Sequence, residues 1–156
     1  MKILFAGIIA RYPFGGVTWC SLMYLLGLRA LGHEVFYIED TGECVYDPIA
    51  NTIATDPAYG TNYIHQALEP FGLGDRWAFV NYDGSYHGRS AEDVRRFCRD
   101  ADRILVLDGG RLVAQGRHDE LLASSLLYRR TCARLSVGKS LDEPESVDEL
   151  IQASKH

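Results

Sequence analysis

The first forty residues contain a strand, a helix and a second strand in the arrangement that builds parallel sheets. KILFAGII at residues 2–9 is a short apolar run, typical of a strand that is buried on both faces. Leucines recur at helical spacing between Val17 and Leu31, and HEVFYIED at residues 33–40 predicts the second strand. Parallel neighbours need a crossover connection, which is usually a helix. The sequence therefore predicts an α/β fold around a mostly parallel sheet.

The following residues extend this sheet. Residues 41–62 form a long polar connection, and NYIHQALEPFG at 62–72 predicts a short helix that Pro70 and Gly72 end. RWAFVNY at 76–82 predicts the third strand, and DRILVLD at 102–108 the fourth. Between them Ser90 should cap a helix. We expect a three-layer, Rossmann-like domain with strand order 3-2-1-4, right-handed crossovers and helices on both faces.

The end of the chain follows a different pattern. The glycine pair at 109–110 is typical of a hairpin turn, so RLVAQG at 111–116 should return as an antiparallel edge strand beside the fourth strand. A further amphipathic helix is predicted at 126–135. We expect residues 1–135 to form a single α/β domain, followed by a polar, mobile tail at 136–156.

Composition excludes several classes of function. Hydrophobic residues make up 47% of the chain and charged residues 24%, with a formal net charge of −5, so nucleic acid is not expected as a partner. The four cysteines are far apart and form no C-x-x-C pair, which predicts free thiols, no metal site and a cytoplasmic location. No apolar run is long enough for membrane insertion, and MKILFAGIIA is not followed by a signal-peptide cleavage site. No cofactor is expected.

Residues 1–101 resemble the N-terminal, acceptor-side domain of the two-domain (GT-B) glycosyltransferases. The likeness is carried by MKILFAGI, by the glycine pair before the first helix and by LRALGHEVFYIED. In that family, a second Rossmann domain holds most of the sugar-nucleotide donor. We expect no counterpart of that domain in this chain, so the resemblance implies one wall of a transferase cleft and an incomplete catalytic site.

Residues 99–135 resemble the end of an ATP-binding cassette of the multidrug-exporter type, through RDADRILVLDGGRLVAQGRHDELLA. The position of the cassette's switch histidine is occupied here by Asp93. GKS at 138–140 lacks the first glycine of a phosphate loop, since residue 133 is Ala133. The resemblance implies a hybrid chain in which this segment supplies secondary structure but no ATP chemistry.

Four residues near the first two strands are candidates for ligand binding. Gly15 and Gly16 precede a helix, whose first amides favour an anion, and the alternative is a tight strand-to-helix turn with nothing bound. Thr18 either contacts that ligand or caps the helix. Glu39, which with Asp40 ends the second strand, could hold a ribose or be a solvated strand-end charge.

The loop after the third strand carries the candidate catalytic residues. Asp83 and His87, with Arg89 beside them, should lie near the carboxyl edge of the sheet, where an Asp–His pair could act as general base toward a sugar hydroxyl. A polar turn explains the same residues without chemistry. His65 is predicted to be partly buried and structural, and His118 to belong to a helix start.

Three hypotheses for function follow. The first is a folded, non-catalytic domain with a vestigial sugar or phosphate site at Gly15–Thr18. The second is a glycosyltransferase-type enzyme that needs a second domain or a dimer mate. The third is an interaction module that docks on ABC transporters. Under any of them we expect self-association, through the exposed sheet edge or through the helix at 126–135.

Overall fold

The α/β arrangement is confirmed by a computed structural model, which describes residues 1–102, 104–108 and 111–136. The strands are β1 (Lys2–Ala6), β2 (Glu34–Asp40), β3 (Val45–Asp47), β4 (Thr52–Ala54), β5 (Trp77–Val80), β6 (Tyr86–Gly88), β7 (Ile104–Asp108) and β8 (Arg111–Gly116). The helices are α1 (Gly15–Ala30), α2 (Ala58–Leu68), α3 (Ala91–Asp100), α4 (His118–Ser124) and α5 (Leu126–Ser136), with a 3-10 turn at Glu69–Phe71.

The main sheet has the order β1-β2-β5-β6, with three parallel strands and one antiparallel edge strand. The three predicted strands that begin the chain are adjacent in the predicted order 3-2-1. β1 lies at an edge, so Lys2 to Phe5 are half-buried and Ala6 is exposed, whereas the sequence predicted burial on both faces. Within the described residues, no strand pairs with the outer side of β1.

The fourth predicted strand is placed differently, so the order 3-2-1-4 is wrong at its last member. β7 pairs with β8 in a separate two-stranded antiparallel sheet. The main-chain amide of Lys2, which a neighbouring parallel strand would use, donates instead to the Asp102 side chain at 2.9 Å. Pairing with the next strand in sequence closes a much shorter loop than pairing with β1. The glycines at 109–110 lie outside the described residues.

The antiparallel edge strand of the main sheet is β6, which comes from the loop after β5 and not from the C-terminal hairpin. The chain reverses within a tight turn, in which Asn81 N donates to Ser85 O at 2.9 Å and Gly84 adopts a φ of 81°. Glycine reaches this left-handed conformation without steric cost. The predicted loop over Asp83–Arg89 is therefore partly a strand.

Two apolar layers cover the two faces of the sheet, which confirms the three-layer arrangement. Alternate residues of β2 point to opposite faces. Val35 and Tyr37 pack with α1 and α2, while Phe36 and Ile38 pack with α3. Burial of such side chains contributes about 1.5–3 kcal/mol each.

The C-terminal elements have a small core of their own, made by Ala101, Ile104, Leu121 and Tyr128. His118 begins α4, as predicted, and its Nδ1 lies 2.8 Å from the Tyr128 hydroxyl. The predicted tail, apart from Ser136, lies outside the described residues, and the single-domain boundary stays a prediction.

Of the two predicted helix caps, the cap of α3 is confirmed and the cap of α1 is wrong. The Ser90 side chain accepts from Asp93 N and caps α3. Thr18 is not the cap of α1, because the helix begins at Gly15 with Phe14 in the cap position. The Thr18 hydroxyl instead donates to the Phe14 carbonyl oxygen at 3.0 Å, one turn back.

Candidate functional site

The loop between β1 and α1 lies at the carboxyl edge of the sheet, where ligands bind in open α/β folds. Ile9 and Ala10 in this loop are fully buried. The first half of α2 covers them, since an added Cβ at Gly60 would lie 2.5 Å from the Ala10 carbonyl oxygen. The short β3 strand adds a bond from Tyr46 N to Arg11 O. The loop is therefore held on several sides.

Glu39, at the end of β2, holds this loop through hydrogen bonds to its main chain. Its side chain is 0% exposed, and its two carboxylate oxygens accept from Ala10 N at 2.7 Å and Arg11 N at 2.6 Å. The expectation of a solvated strand-end charge is thus wrong for Glu39. These loop amides are already occupied, so they are not free to bind a phosphate.

Tyr37 completes the network on the same face of β2, two residues before Glu39. Its hydroxyl donates to Glu39 Oε2 at 2.9 Å and accepts from Ile9 N at 2.9 Å. The role of Tyr37 was missed, although an i, i+2 pair of polar-tipped residues on one strand places both tips on one face. That spacing is the signal that could have found it.

Burial raises the pKa of both side chains. It raises the pKa of the Glu39 carboxyl to about 7, against the opposing effect of the hydrogen bonds that the carboxylate accepts and of the nearby Arg11 charge. It also raises the pKa of Tyr37 well above its usual value, with the Glu39 charge adding to the effect. Tyr37 therefore remains a neutral donor.

The raised pKa of Glu39 predicts a specific pH dependence. The unfolded chain releases the proton near pH 4.5 and the folded chain near pH 7, so the folded state binds more protons between these values. The contribution of Glu39 to the free energy of unfolding should therefore be complete below pH 4.5 and fall by up to about 3 kcal/mol as the pH rises to 7. Urea unfolding at pH 5 and pH 7 measures it. Glu39→Gln removes the titration, and equal pH dependence in both proteins would contradict the assignment.

The glycine pair begins α1 in open surroundings. Gly15 and Gly16 are exposed, and nothing lies within 4 Å of where their Cβ atoms would be. Thr18 is buried beneath them, with its hydroxyl 3.1 Å from that of Tyr63. The structure thus separates Thr18 from an open anion site, and binding at Gly15–Gly16 stays a prediction.

The candidate catalytic residues lie on β6 and the turn before it. Asp83 Oδ1 accepts from the Ser85 hydroxyl at 2.6 Å, and that hydroxyl lies 3.5 Å from His87 Nε2. The Ser85 bonds, with a smaller effect of His87, lower the pKa of Asp83. Ser85 therefore lies between the two residues that were expected to act as a pair.

Arg89 is carried away from the carboxyl edge, because β6 runs antiparallel to β5. Its guanidinium binds Asp75 at 3.0 Å, close to the amino end of β5. A groove of about 170 Å³ lies at that edge and is lined by oppositely charged residues. Arg76 pairs there with Glu34 at 2.7 Å. Paired, exposed charges of this kind are typical of a solvated surface.

A larger cleft, of about 410 Å³, lies between α2 and the β5–β6 pair. It brings together the two histidines that the sequence placed apart. The residues that line it are Asp56, Ala58, Thr61, Asn62, His65, Trp77, His87 and Gly88. His65 is exposed on α2 and faces this cleft, so the prediction that it is a partly buried structural residue is wrong. We call this the α2–β6 cleft.

Within residues 1–102, 104–108 and 111–136, no cluster of three or more His, Cys, Asp or Glu side chains could hold a metal ion. Over the same part of the chain, no helix has the length and apolar character needed to cross a bilayer. The four cysteines, all of which the structure describes, form no disulfide.

The chain is thus an α/β protein with a polar cleft on its surface. Neither a family model nor a solved structure matches the chain. A 30-residue stretch, 19% of the chain, is 60% identical to the uncharacterized ABC transporter ATP-binding protein YknV of Bacillus subtilis (strain 168). The match covers 5% of that protein, and it supports the cassette resemblance of the C-terminal segment. None of these comparisons supports the glycosyltransferase resemblance, which stays a prediction.

Proposed function

We propose that this chain is a non-catalytic, hybrid α/β domain that binds an uncharged, hydroxyl-rich ligand such as a sugar in the α2–β6 cleft. The observation that carries the proposal is the convergence of His65, His87, Asp56 and Asn62 on one cleft. Carboxylate, amide and imidazole groups together offer both donors and acceptors to hydroxyls.

The charge of the cleft favours a sugar over a phosphate. Its lining, as far as the structure describes it, contains Asp56 but no lysine or arginine. Phosphate recognition in proteins relies on such cations or on helix N-terminal amides. The start of α2 borders the cleft, but its first amide, Ala58 N, donates to the Asp56 carboxylate at 2.9 Å. A neutral ligand therefore suits the cleft better than an anion.

Titration with neutral mono- and disaccharides, followed by NMR of the histidine rings and backbone amides, tests this proposal. The signals of His65 and His87 should move with a common affinity. His87→Ala should weaken binding about tenfold, since it removes one polar contact. His33→Ala, outside the cleft, is the matched control. Shifts scattered over the surface, or unchanged affinity in His87→Ala, would contradict the site.

A glycosyltransferase-type enzyme with its donor half on another chain is the second candidate. It is favoured by the two histidines and Asp56 in one cleft, because a general base must lie within reach of the acceptor hydroxyl. Incubation with sugar nucleotides and acceptors, with and without cell extract fractions, tests it. Turnover that His87→Ala reduces at least about a hundredfold would replace the non-catalytic proposal.

The third candidate is docking on an ABC transporter, in the cytoplasm, through the cassette-like end. It is favoured by the 60% identity over 30 residues. A pull-down with purified transporter nucleotide-binding domains tests it, with residues 1–101 as bait for comparison. Equal retention of both baits would contradict a role for the cassette-like segment.

A further inference from the structure

Helix α1 presents an apolar stripe to solvent. The large side chains of Trp19, Met23 and Tyr24 are 61%, 60% and 60% exposed, and that of Leu31, which caps the C-terminus of α1, is 74% exposed. They share the outer face of the helix with Gly16, Cys20 and Gly27, which are exposed as well. The opposite face of α1 is buried against the sheet through Leu22 and Leu25. A helix that is apolar on both sides is normally covered on both sides.

The stripe is large enough to contribute to a stable interface. Its four large side chains expose on the order of 500 Å² of mostly apolar surface in one contiguous patch, the size of patch that is often functional. The Tyr24 ring stacks on Phe5 of β1 with ring centroids 5.8 Å apart, so the stripe continues to the edge of the sheet. Together these surfaces approach the roughly 800 Å² per partner of a standard interface.

Charge selects the kind of partner. Arg29 is the single charged residue of α1, and its guanidinium donates to the Phe71 carbonyl. The outer face therefore carries no charge that would repel a second copy, despite the net charge of −5. Binding to an anionic membrane surface normally relies on lysines and arginines around the apolar face. The α1 stripe has none, which favours a protein partner.

The order of residues along the stripe is self-complementary. Two antiparallel copies of α1, related by a twofold axis between Met23 and Tyr24, bring Gly16 opposite Leu31 and Cys20 opposite Gly27. Each of these glycines thus lies opposite a larger side chain. Every twofold axis makes such pairs reciprocal, so the match of small with larger residues occurs twice in the interface.

We propose that the α1 stripe is a homodimer interface, in which α1 of two copies packs antiparallel about a twofold axis at Met23–Tyr24. This surface differs from the helix at 126–135 that the sequence indicated. It leaves the α2–β6 cleft outside the contact, so the dimer and the proposed ligand site can be tested independently.

Sedimentation equilibrium over a concentration series of the full chain tests the dimer. The wild-type chain should form a dimer, and Met23→Asp should raise the dimer Kd at least about a hundredfold, since it places two carboxylates at the axis. Circular dichroism checks that the variant is folded. Ile49→Asp, at a residue that is 82% exposed outside the stripe, is the matched control and should leave the Kd unchanged. If the full chain remained a monomer at every concentration, the proposal would be overturned, and the stripe would have to bind another protein or a lipid surface.

Disulfide cross-linking tests whether the two copies of α1 pack antiparallel. In Gly27→Cys, oxidation should link the new thiol to Cys20 of the second copy and produce a dimer with two disulfides. Gly15→Cys is the control, because residue 15 lies opposite no thiol in this arrangement. Leu127→Asp probes the alternative contact through α5. If this variant dissociated the dimer and Met23→Asp did not, the α1 contact would be wrong. Equal cross-linking of Gly27→Cys and Gly15→Cys would likewise overturn the antiparallel arrangement.

Discussion

Glu39→Ala should lower the free energy of unfolding by about 3–5 kcal/mol, because it removes the shared acceptor of three donors. The substitution leaves the amides of Ala10 and Arg11 and the hydroxyl of Tyr37 without their acceptor. Each buried donor that loses its partner costs about 1–3 kcal/mol, and water that enters the space recovers part of this. Chemical denaturation monitored by circular dichroism measures the loss.

Glu39→Gln is the matched control for size. The glutamine oxygen can still accept from Ala10 N and Tyr37, while its amide group meets the Arg11 amide, which cannot accept a hydrogen bond. We expect a smaller loss, of about 1–3 kcal/mol. If Glu39→Ala cost less than about 1 kcal/mol, or no more than the glutamine variant, the carboxylate would not be the anchor of the β1–α1 loop.

Gly60→Val should lower the free energy of unfolding by about 3 kcal/mol or more. The added Cβ would lie 2.5 Å from the carbonyl oxygen of Ala10 and 3.1 Å from both its carbonyl carbon and its Cα. A flexible side chain could move aside, but this loop is held by Glu39, so α2 and the loop must separate. Overpacking of a tight contact costs about 1–3 kcal/mol, and contact with backbone lies at the upper end.

Gly27→Val separates this clash from the effect of changing a helical glycine. Gly27 also lies within a helix, but nothing lies within 4 Å of its Cβ position. Valine is a slightly better helix former than glycine, so this variant should stay within about 0.5 kcal/mol of wild type. Both variants are compared at concentrations where they are monomeric. Equal stability of the two would show that α2 does not pack on Ala10.

The order of the first strands could be predicted because it depends on local patterns. The apolar run at residues 2–9, the helix and HEVFYIED follow one another closely, and right-handed crossovers leave few ways to arrange them. Ser90 could be identified as a cap for the same reason, since the cap and the amide that it binds are three residues apart.

The candidate site was less accessible to prediction. His65 and His87 are twenty-two residues apart, and their meeting depends on α2 packing beside β6. The position of β6 depends in turn on the turn at Gly84. The burial of Glu39 was missed because a charged residue at a strand end is usually solvated, and here the returning loop covers it.

By itself, the sequence determined β1, α1, β2, β5 and α3, because apolar spacing and capping residues along the chain set these elements. It did not determine the short strands β3, β4 and β6, which lie in segments predicted as loops. The tertiary structure decided what each segment meets: β7 pairs with β8 rather than β1, Glu39 lies under the loop, and the outer face of α1 stays uncovered. Pairing and burial depend on contacts between residues distant in sequence. Their free energies compete across the whole fold, so local spacing does not decide them.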